Sequence, residues 1–162
     1  MIEESDRVVL TARARTLARE APAEDHRERI SVVPFMLGGN SYAIEILLVR
    51  EVVDSGSIAP VPGAPPEYLG VTTYRGGMLG AIDLRVALGL ASRPARARHL
   101  LILGDGDAEL GLLADAVEGP VDIVVVELLP SPRSHRLVRG MASDDRLVLA
   151  GRGLLAAPGP DA

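Results

Sequence analysis

The sequence predicts a mainly β protein built from two tandem units of similar plan. The clearest observation is the segment Arg75-Gly76-Gly77, which lies between two runs of β-favouring residues, 69–74 and 78–82. Because glycine adopts positive φ at little cost, this segment predicts a tight reversal between antiparallel strands. Asp83 then stands where a helix N-cap belongs, and residues 84–89 predict one short helical turn closed by glycine.

This plan occurs a second time along the chain. Residues 137–155 repeat the order of strand, Arg-Gly, strand and short helix, with Arg139 in the place of Arg75. Upstream, residues 35–44 correspond to residues 101–110. The offset is 66 residues for the upstream pair and 64 residues for the Arg-Gly pair. Two independent pairs at nearly the same offset indicate two tandem structural units.

Residues 1–29 predict a helix followed by a charged linker. Ser5 is in position to cap a helix that runs through Ala21, and Pro22 ends it. Apolar side chains recur at helical spacing only as a thin stripe. We therefore expect this helix to dock on the parent domain or to fray, ahead of the alternative that it is a dedicated partner helix.

The first unit begins with a predicted hairpin. The apolar run 30–37 contains Pro34, which suits an edge strand or the start of a strand. Residues 38–40, Gly-Gly-Asn, predict the turn, and residues 41–46 predict the return strand. Residues 47–53 fit either a strand or a turn linking two strands. Four prolines and two glycines then predict a rigid loop over the next segment, which ends at Pro66.

The second unit follows a basic segment, 91–98, which is predicted to be a solvated linker, with a patch for an acidic partner as the alternative. Residues 99–103 and 110–117 predict the strands of its hairpin. Residues 121–129 are so apolar that both faces must be covered, which favours a strand at the centre of a shared core. Residues 157–162 are expected to be a loose tail.

Composition narrows the class of protein. Of the 162 residues 48% are hydrophobic but only 2% are aromatic, so the core must be built from Val, Leu, Ile and Ala. The net charge of −5 and the lack of a dense basic tract argue against nucleic acid as the main partner. No apolar run is long enough to cross a membrane. The absence of cysteine excludes disulfides and thiolate chemistry and fits a cytoplasmic protein.

The sequence predicts no catalytic, metal or cofactor site. His26, His99 and His135 fall in separate segments without acids or cysteines at ligand spacing. Residues 104–109, G-D-G-D-A-E, are superficially like a calcium loop but lack its glycine at position six and its acid at position twelve, so we expect a hairpin turn there. Neither a phosphate-binding glycine motif nor a nucleophile elbow is present. A module that acts by binding is therefore expected.

Four motifs resemble the CheW-like chemotaxis coupling proteins. They are L-G-x-x-x-Y-A-I-x-I-L-x-V-R-E-V-V from Leu37, I-x-x-V-P-G-A-P-x-x-x-L-G-V from Ile58, Y-R-G-G-x-L-x-x-I-D-L-R from Tyr74 and L-L-A-D-A-V-E-G-P-V-D from Leu112. The motifs occur in the order of that family, and the resemblance covers roughly residues 30–156.

The resemblance implies an all-β fold of two intertwined five-stranded SH3-like β-barrels that share a core, besides the N-terminal helix and short helical turns. It places the CheW-like domain at 30–156. Two subdomains, at about 30–90 and 98–156, would exchange their terminal segments.

The resemblance also implies a function and a set of site residues. The protein would be a non-catalytic scaffold that joins the cytoplasmic tip of a methyl-accepting chemoreceptor to the regulatory domain of a CheA-type histidine kinase. It would be cytoplasmic and would lie near the membrane only because it binds the receptors.

Carried over by position, the receptor-binding candidates are Val49, Glu51, Gly70 and Arg75. For Arg75 the implied mechanism is charge-assisted hydrogen bonding, either to the receptor or to Glu51. Gly70 and Val49 also have purely structural interpretations, as a close-packed strand glycine and a core residue.

The chain departs from the family pattern at two places, and alternatives remain. Thr73-Tyr74 replaces the usual Asn-Leu before Arg-Gly, and Gly151 stands where an acid is common; both bear on receptor specificity. One alternative is a CheW-like adaptor in another chemosensory system, such as twitching or gliding motility or polar localisation. The other is a small nucleic-acid-binding β-barrel, which would need exposed aromatic side chains on a basic face.

Overall fold

In the computed structural model, residues 29–90, 99–124 and 137–156 are described. The predicted helix over 5–21, the predicted linker over 91–98 and the predicted tail over 157–162 lie outside the described residues. The described part of the chain contains eleven strands, two short α-helices and one 3₁₀ turn.

The strands, in chain order, are β1 (Arg29–Leu37), β2 (Asn40–Glu45), β3 (Val49–Asp54), β4 (Tyr68–Tyr74), β5 (Gly77–Ile82), β6 (His99–Leu103), β7 (Leu110–Ala114), β8 (Ala116–Val117), β9 (Val121–Val124), β10 (Val138–Met141) and β11 (Leu147–Leu149). The helices are α1 (Leu84–Ala87) and α2 (Gly151–Leu155), and the 3₁₀ turn is Ile46–Leu48.

These strands form two sheets, which confirms the predicted mainly β fold. The first sheet has the order β10-β11-β2-β1-β8, and β9 also pairs with β1. The second sheet has the order β3-β6-β7-β5-β4. Neighbouring strands are antiparallel except for two pairs, β11 with β2 and β5 with β7, which are parallel.

The two sheets have the same connectivity. In the first sheet, the hairpin β1–β2 pairs through β2 with the second strand of the hairpin β10–β11. In the second sheet, the hairpin β6–β7 pairs through β7 with the second strand of the hairpin β4–β5. Each sheet therefore combines one hairpin from the first half of the chain with one from the second half. The duplication read from the sequence has its counterpart in this topology.

Alternating side chains bury both faces of the second sheet. Leu101 and Leu103 belong to the cluster that packs against the first sheet, where Phe35 is one of its members. Leu100 and Ile102, at the intervening positions of the same strand, belong to a separate cluster on the opposite face. Strands buried on both faces appear as near-continuous apolar runs, and β6 (HLLIL) and β7 (LGLLA) are such runs.

Both expectations for Pro34 are wrong. β1 is not an edge strand, because it pairs with β2 on one side and with β8 and β9 on the other, and it begins at Arg29, well before the proline. Pro34 is accommodated where the partner on the second side changes. Pairing with β9 ends at Val32, and pairing with β8 begins at Phe35. The missing N–H of the proline therefore falls in the gap between two partner strands, while its carbonyl accepts a hydrogen bond from the amide of Glu118.

The expectation that residues 121–129 form a strand at the centre of the core is also wrong for the part that the structure describes. β9 pairs with β1, and Val121 is exposed. Residues 125–129 lie outside the described ranges. The predicted single strand 110–117 is divided between the two sheets, because the chain leaves β7 at Ala114 and enters the first sheet as β8.

The proposed correspondence between Arg139 and Arg75 is wrong in register. Arg139 lies within β10, and the reversal to β11 comes later, at residues 142–146. Arg139 instead donates to Oε1 of Glu45 at 2.8 Å. The strand interpretation of residues 47–53 is correct from Val49 onward, where β3 begins, and a 3₁₀ turn ends just before it at Leu48.

Candidate functional site

The four residues predicted to bind a partner all lie on the second sheet. Val49 and Glu51 are in β3, Gly70 is in β4, and Arg75 is in the turn that follows β4. β3 and β4 are the two edge strands of this sheet. The structure brings Glu51 and Arg75 into contact, whereas Val49 and Gly70 have different surroundings.

The backbone fixes Arg75 at the tip of the β4–β5 hairpin. Tyr74 pairs with Gly77, so the turn has two central residues, Arg75 and Gly76. Both have positive φ, at 48° and 79°. This combination is characteristic of a type I′ turn, whose twist matches that of the flanking strands. The hairpin therefore presents the arginine on a well-defined backbone.

The Arg75 side chain is held by two neighbours. Its Nη2 donates to Oε2 of Glu51 at 3.0 Å, and its Cζ lies 5.4 Å from the centroid of the Tyr74 ring. The Tyr74 hydroxyl donates to the same Oε2 of Glu51 at 2.6 Å. Even so, 74% of the Arg75 side chain is exposed. Because a guanidinium has five N–H donors, Arg75 retains donors for another molecule.

The protonation states of this cluster follow from its hydrogen bonds. The Tyr74 hydroxyl, together with the charge and hydrogen bond of Arg75, lowers the pKa of Glu51 against a smaller opposing effect of burial. The same bond to Glu51, followed by burial, raises the pKa of Tyr74. At neutral pH the glutamate is therefore charged and the tyrosine is protonated, which is the state in which both hydrogen bonds form.

Gly70 permits a close backbone approach. Its φ is +141°, and a Cβ at this position would lie 1.9 Å from the carbonyl oxygen of Ala59. Ala59 and Val71 exchange two backbone hydrogen bonds, of 2.8 and 2.9 Å, across this contact. The glycine thus lets the proline-containing loop lie against β4. Its role in binding stays a prediction, while its structural role follows from this geometry.

Val49 is half-buried at the start of β3. It pairs with Leu103 and packs against the core between the sheets. These contacts are those of a core residue at the rim of the sheet, and its role in binding stays a prediction.

An open groove lies beside the Arg75 turn. It has a volume of about 510 Å³, and its lining includes Arg50 and Arg75 as well as Asp107 of the β6–β7 loop. Met78, on the far side of the turn, is 76% exposed and also lines this groove. The surface therefore combines an accessible guanidinium, a carboxylate and a flexible apolar side chain, a combination suited to contact with another protein.

Tyr74 is the residue that the sequence did not identify as part of the site. The sequence shows it as a departure from the usual Asn-Leu before Arg-Gly, and that departure is the one available signal. Its partner, Glu51, is 23 residues away in the sequence and lies on β3, which does not pair with β4 in the sheet. The contact therefore depends on the closure of the sheet and has no sequence pattern of its own.

The described residues contain no group of three or more histidine, aspartate or glutamate side chains arranged to hold a metal ion. No helix within the described ranges has both the length and the apolar character needed to span a membrane.

Comparison with known proteins yields a consistent set of matches. The model of the CheW-like domain family matches residues 31–151. "Chemotaxis protein CheW" of Rhizobium meliloti (strain 1021) is 30% identical over 129 residues, which are 79% of this chain and 78% of that protein. "Protein FrzA" of Myxococcus xanthus is 35% identical over 85 residues, or 52% of this chain and 53% of that protein. The crystal structure of the scaffolding protein TtCheW from Thermoanaerobacter tengcongensis superposes with a TM-score of 0.65 and 27% identity, covering 75% of this chain and 89% of that one.

Proposed function

This chain belongs to the CheW-like domain family, and we propose that it is a non-catalytic scaffold that couples the cytoplasmic tips of chemoreceptors to a CheA-type histidine kinase. The observation that carries the proposal is the likeness to a solved scaffolding protein, TtCheW, over 89% of that protein's chain. The match to a chemotaxis protein CheW of similar extent supports the same reading. We place the protein in the cytoplasm, beside the membrane only through its receptors.

The Arg75 cluster supports a binding role. The guanidinium is exposed, yet its backbone is set by a two-residue turn and its side chain contacts both Glu51 and Tyr74. A preorganised charged group loses little conformational entropy when it binds. In this proposal Arg75 contacts the receptor, and Glu51 keeps the arginine in place.

The two-sheet architecture also suits a scaffold. Each sheet presents its own surface, so a receptor and a kinase domain can be bound at the same time. Individual contacts of this kind are small and weak. Linking many of them in an array raises the effective concentration and supplies the avidity that a single contact lacks.

Reconstitution tests the proposal. Membranes containing a chemoreceptor are mixed with a CheA-type kinase from the same organism, and kinase autophosphorylation is measured with and without this chain. A coupling scaffold makes the kinase activity depend on the receptor and on the scaffold together. Kinase activity that is indifferent to added chain, at concentrations that saturate any binding, would refute the proposal.

A second candidate is an adaptor of the same kind in another chemosensory system, such as one that controls twitching or gliding motility or polar localisation. The similarity to protein FrzA favours keeping it, because that relative does not carry the chemotaxis name. Affinity capture with the kinases encoded by the organism separates the two candidates. Binding to a kinase other than the chemotaxis kinase would select the second.

A further inference from the structure

Tyr74 and Glu51 join the two edges of one sheet. The second sheet begins with β3 and ends with β4, with three strands between them. Glu51 lies in β3 and Tyr74 is the last residue of β4, yet the Tyr74 hydroxyl lies 2.6 Å from Oε2 of Glu51. In the described part of the chain, β3 and β4 have no backbone pairing with each other. The side-chain hydrogen bond thus links the sheet to itself where its backbone ladder stops.

We propose that Tyr74 is a positioning residue, whose hydroxyl closes the second sheet through Glu51 and thereby fixes Arg75 for binding. The part of this inference that concerns Arg75 rests on the proposed function, whereas the closure of the sheet does not.

The geometry shows why the hydroxyl has this effect. A single carboxylate oxygen, Oε2 of Glu51, accepts from both Tyr74 and Arg75. An exposed ion pair alone is weak, because both long side chains lose conformational freedom when they meet. Because the Tyr74 hydroxyl already holds the Glu51 carboxylate, less conformational freedom is lost when Arg75 pairs with it. The Tyr74 ring then gives the guanidinium a second contact, at 5.4 Å from the centroid.

The surroundings of the hydrogen bond indicate what it protects. A groove of about 230 Å³ opens between β3 and β4, and Leu100 and Ile102 line it. Both side chains belong to the apolar cluster on that face of the sheet, and Tyr74 packs against the same cluster. Separation of the two edges at Glu51 and Tyr74 would therefore open a path for water to this cluster.

The first experiment needs no partner. Hydrogen exchange of the full chain is measured for the wild type, Tyr74→Phe and Thr73→Val. Thr73→Val is the matched control, because it removes a hydroxyl from the neighbouring, exposed residue of the same strand. Tyr74→Phe should accelerate exchange in β3 and at the end of β4 while leaving β1 and β2 unchanged. Wild-type exchange in β3 and β4 of Tyr74→Phe would overturn the proposed closure.

The second experiment measures binding to the purified cytoplasmic fragment of a chemoreceptor from the same organism. Tyr74→Phe should weaken binding by about fivefold, the size expected for loss of one partly solvated hydrogen bond. If Tyr74 acts through Glu51, adding Tyr74→Phe to Glu51→Ala should cause no further loss. Equal affinity of wild type and Tyr74→Phe, or fully additive losses in the double variant, would overturn the positioning role.

The two experiments fail in different ways. If the wild-type chain does not bind the receptor fragment or alter the kinase, the proposed function is refuted and the role assigned to Arg75 falls with it. The exchange experiment would still decide whether Tyr74 closes the sheet.

Discussion

Asp83 and Arg85 form a nearly buried ion pair at the end of the β4–β5 hairpin. Nε of Arg85 lies 2.8 Å from Oδ2 of Asp83, and the exposed fractions of the two side chains are only 12% and 9%. Asp83 also caps α1, because its Oδ1 accepts from the backbone amide of Arg85 at 3.0 Å. One carboxylate therefore begins the helix and neutralises a buried guanidinium.

Asp83→Ala should destabilise the protein by about 3 kcal/mol, because it removes a helix cap and the nearly buried ion pair that Asp83 forms with Arg85. Urea denaturation followed by circular dichroism measures the change. Asp144→Ala is a matched control, since Asp144 also bonds the amide and guanidinium of the residue two positions later, Arg146, but is 51% exposed. The control should cost less than about 1 kcal/mol. Equal losses in both variants would contradict the importance assigned to burial.

Gly70→Ala should destabilise the fold by about 3 kcal/mol, since the new methyl group meets the Ala59 carbonyl and the backbone has positive φ. The Ala59–Val71 bridge must then break or shift. Gly119→Ala, where a Cβ would meet nothing within 4 Å, is the control and should be close to neutral. Thermal unfolding compares the two. A neutral Gly70→Ala would contradict the close approach of the loop to β4.

The contribution of the Glu51–Tyr74 hydrogen bond should depend on pH in a defined direction. The folded-state pKa of Glu51 is lowered, so its contribution is complete above the unfolded pKa of about 4.3 and is lost as the pH falls through the lower folded pKa. The pKa of Tyr74 is raised by Glu51 and by burial, against the opposing charges of Arg75 and Arg50. Its contribution is therefore present below the unfolded pKa of about 10 and is lost as the pH rises through the folded pKa.

The difference in unfolding free energy between wild type and Tyr74→Phe measures this contribution. The difference should be constant between about pH 6 and about pH 8, a range that lies between the pKa values of Glu51 and Tyr74. It should shrink in acid, as Glu51 becomes protonated. A difference that stays the same when Glu51 is protonated would contradict the assignment of this contribution to the hydrogen bond between the hydroxyl and the carboxylate.

Leu112→Ala should destabilise both sheets together by about 3 kcal/mol. Leu112 is fully buried in the core between the sheets, and each sheet contains strands from both halves of the chain. Unfolding should remain a single transition when it is followed by hydrogen exchange in β1 and in β6. Val86→Ala, at an exposed position of α1, is the control and should change stability little. Separate transitions for the two sheets would contradict the shared core.

Local sequence signals predicted the turn between β4 and β5 and the cap of α1. Gly76 supplies the positive φ of the hairpin turn, and Asp83 supplies the cap, because each acts on its immediate neighbours. Signals that depend on distant partners gave wrong or missing predictions. Pro34 indicates an edge strand only if no gap lies between two partner strands, and that gap is created by residues more than 80 positions later.

In the candidate site, too, the contacts that depend on distant partners could not be predicted from local sequence. Glu51 and Arg75 were identified through resemblance to a family, and their contact agrees with one of the two mechanisms considered for Arg75. Tyr74 was missed as a member of the site, since its bond to Glu51 exists only when the two edges of the sheet meet. Gly70 was identified, but its close approach to Ala59 depends on the path of a proline-containing loop that local propensity does not define.

The most direct test of the proposed coupling function is kinase stimulation by Arg75→Glu in the reconstituted receptor–kinase assembly. Arg139→Glu is the matched control, because Arg139 also pairs with a glutamate on another strand but lies on the other sheet. We predict that Arg75→Glu remains folded and loses receptor-dependent stimulation, while Arg139→Glu retains it. Full stimulation by folded Arg75→Glu would contradict the account.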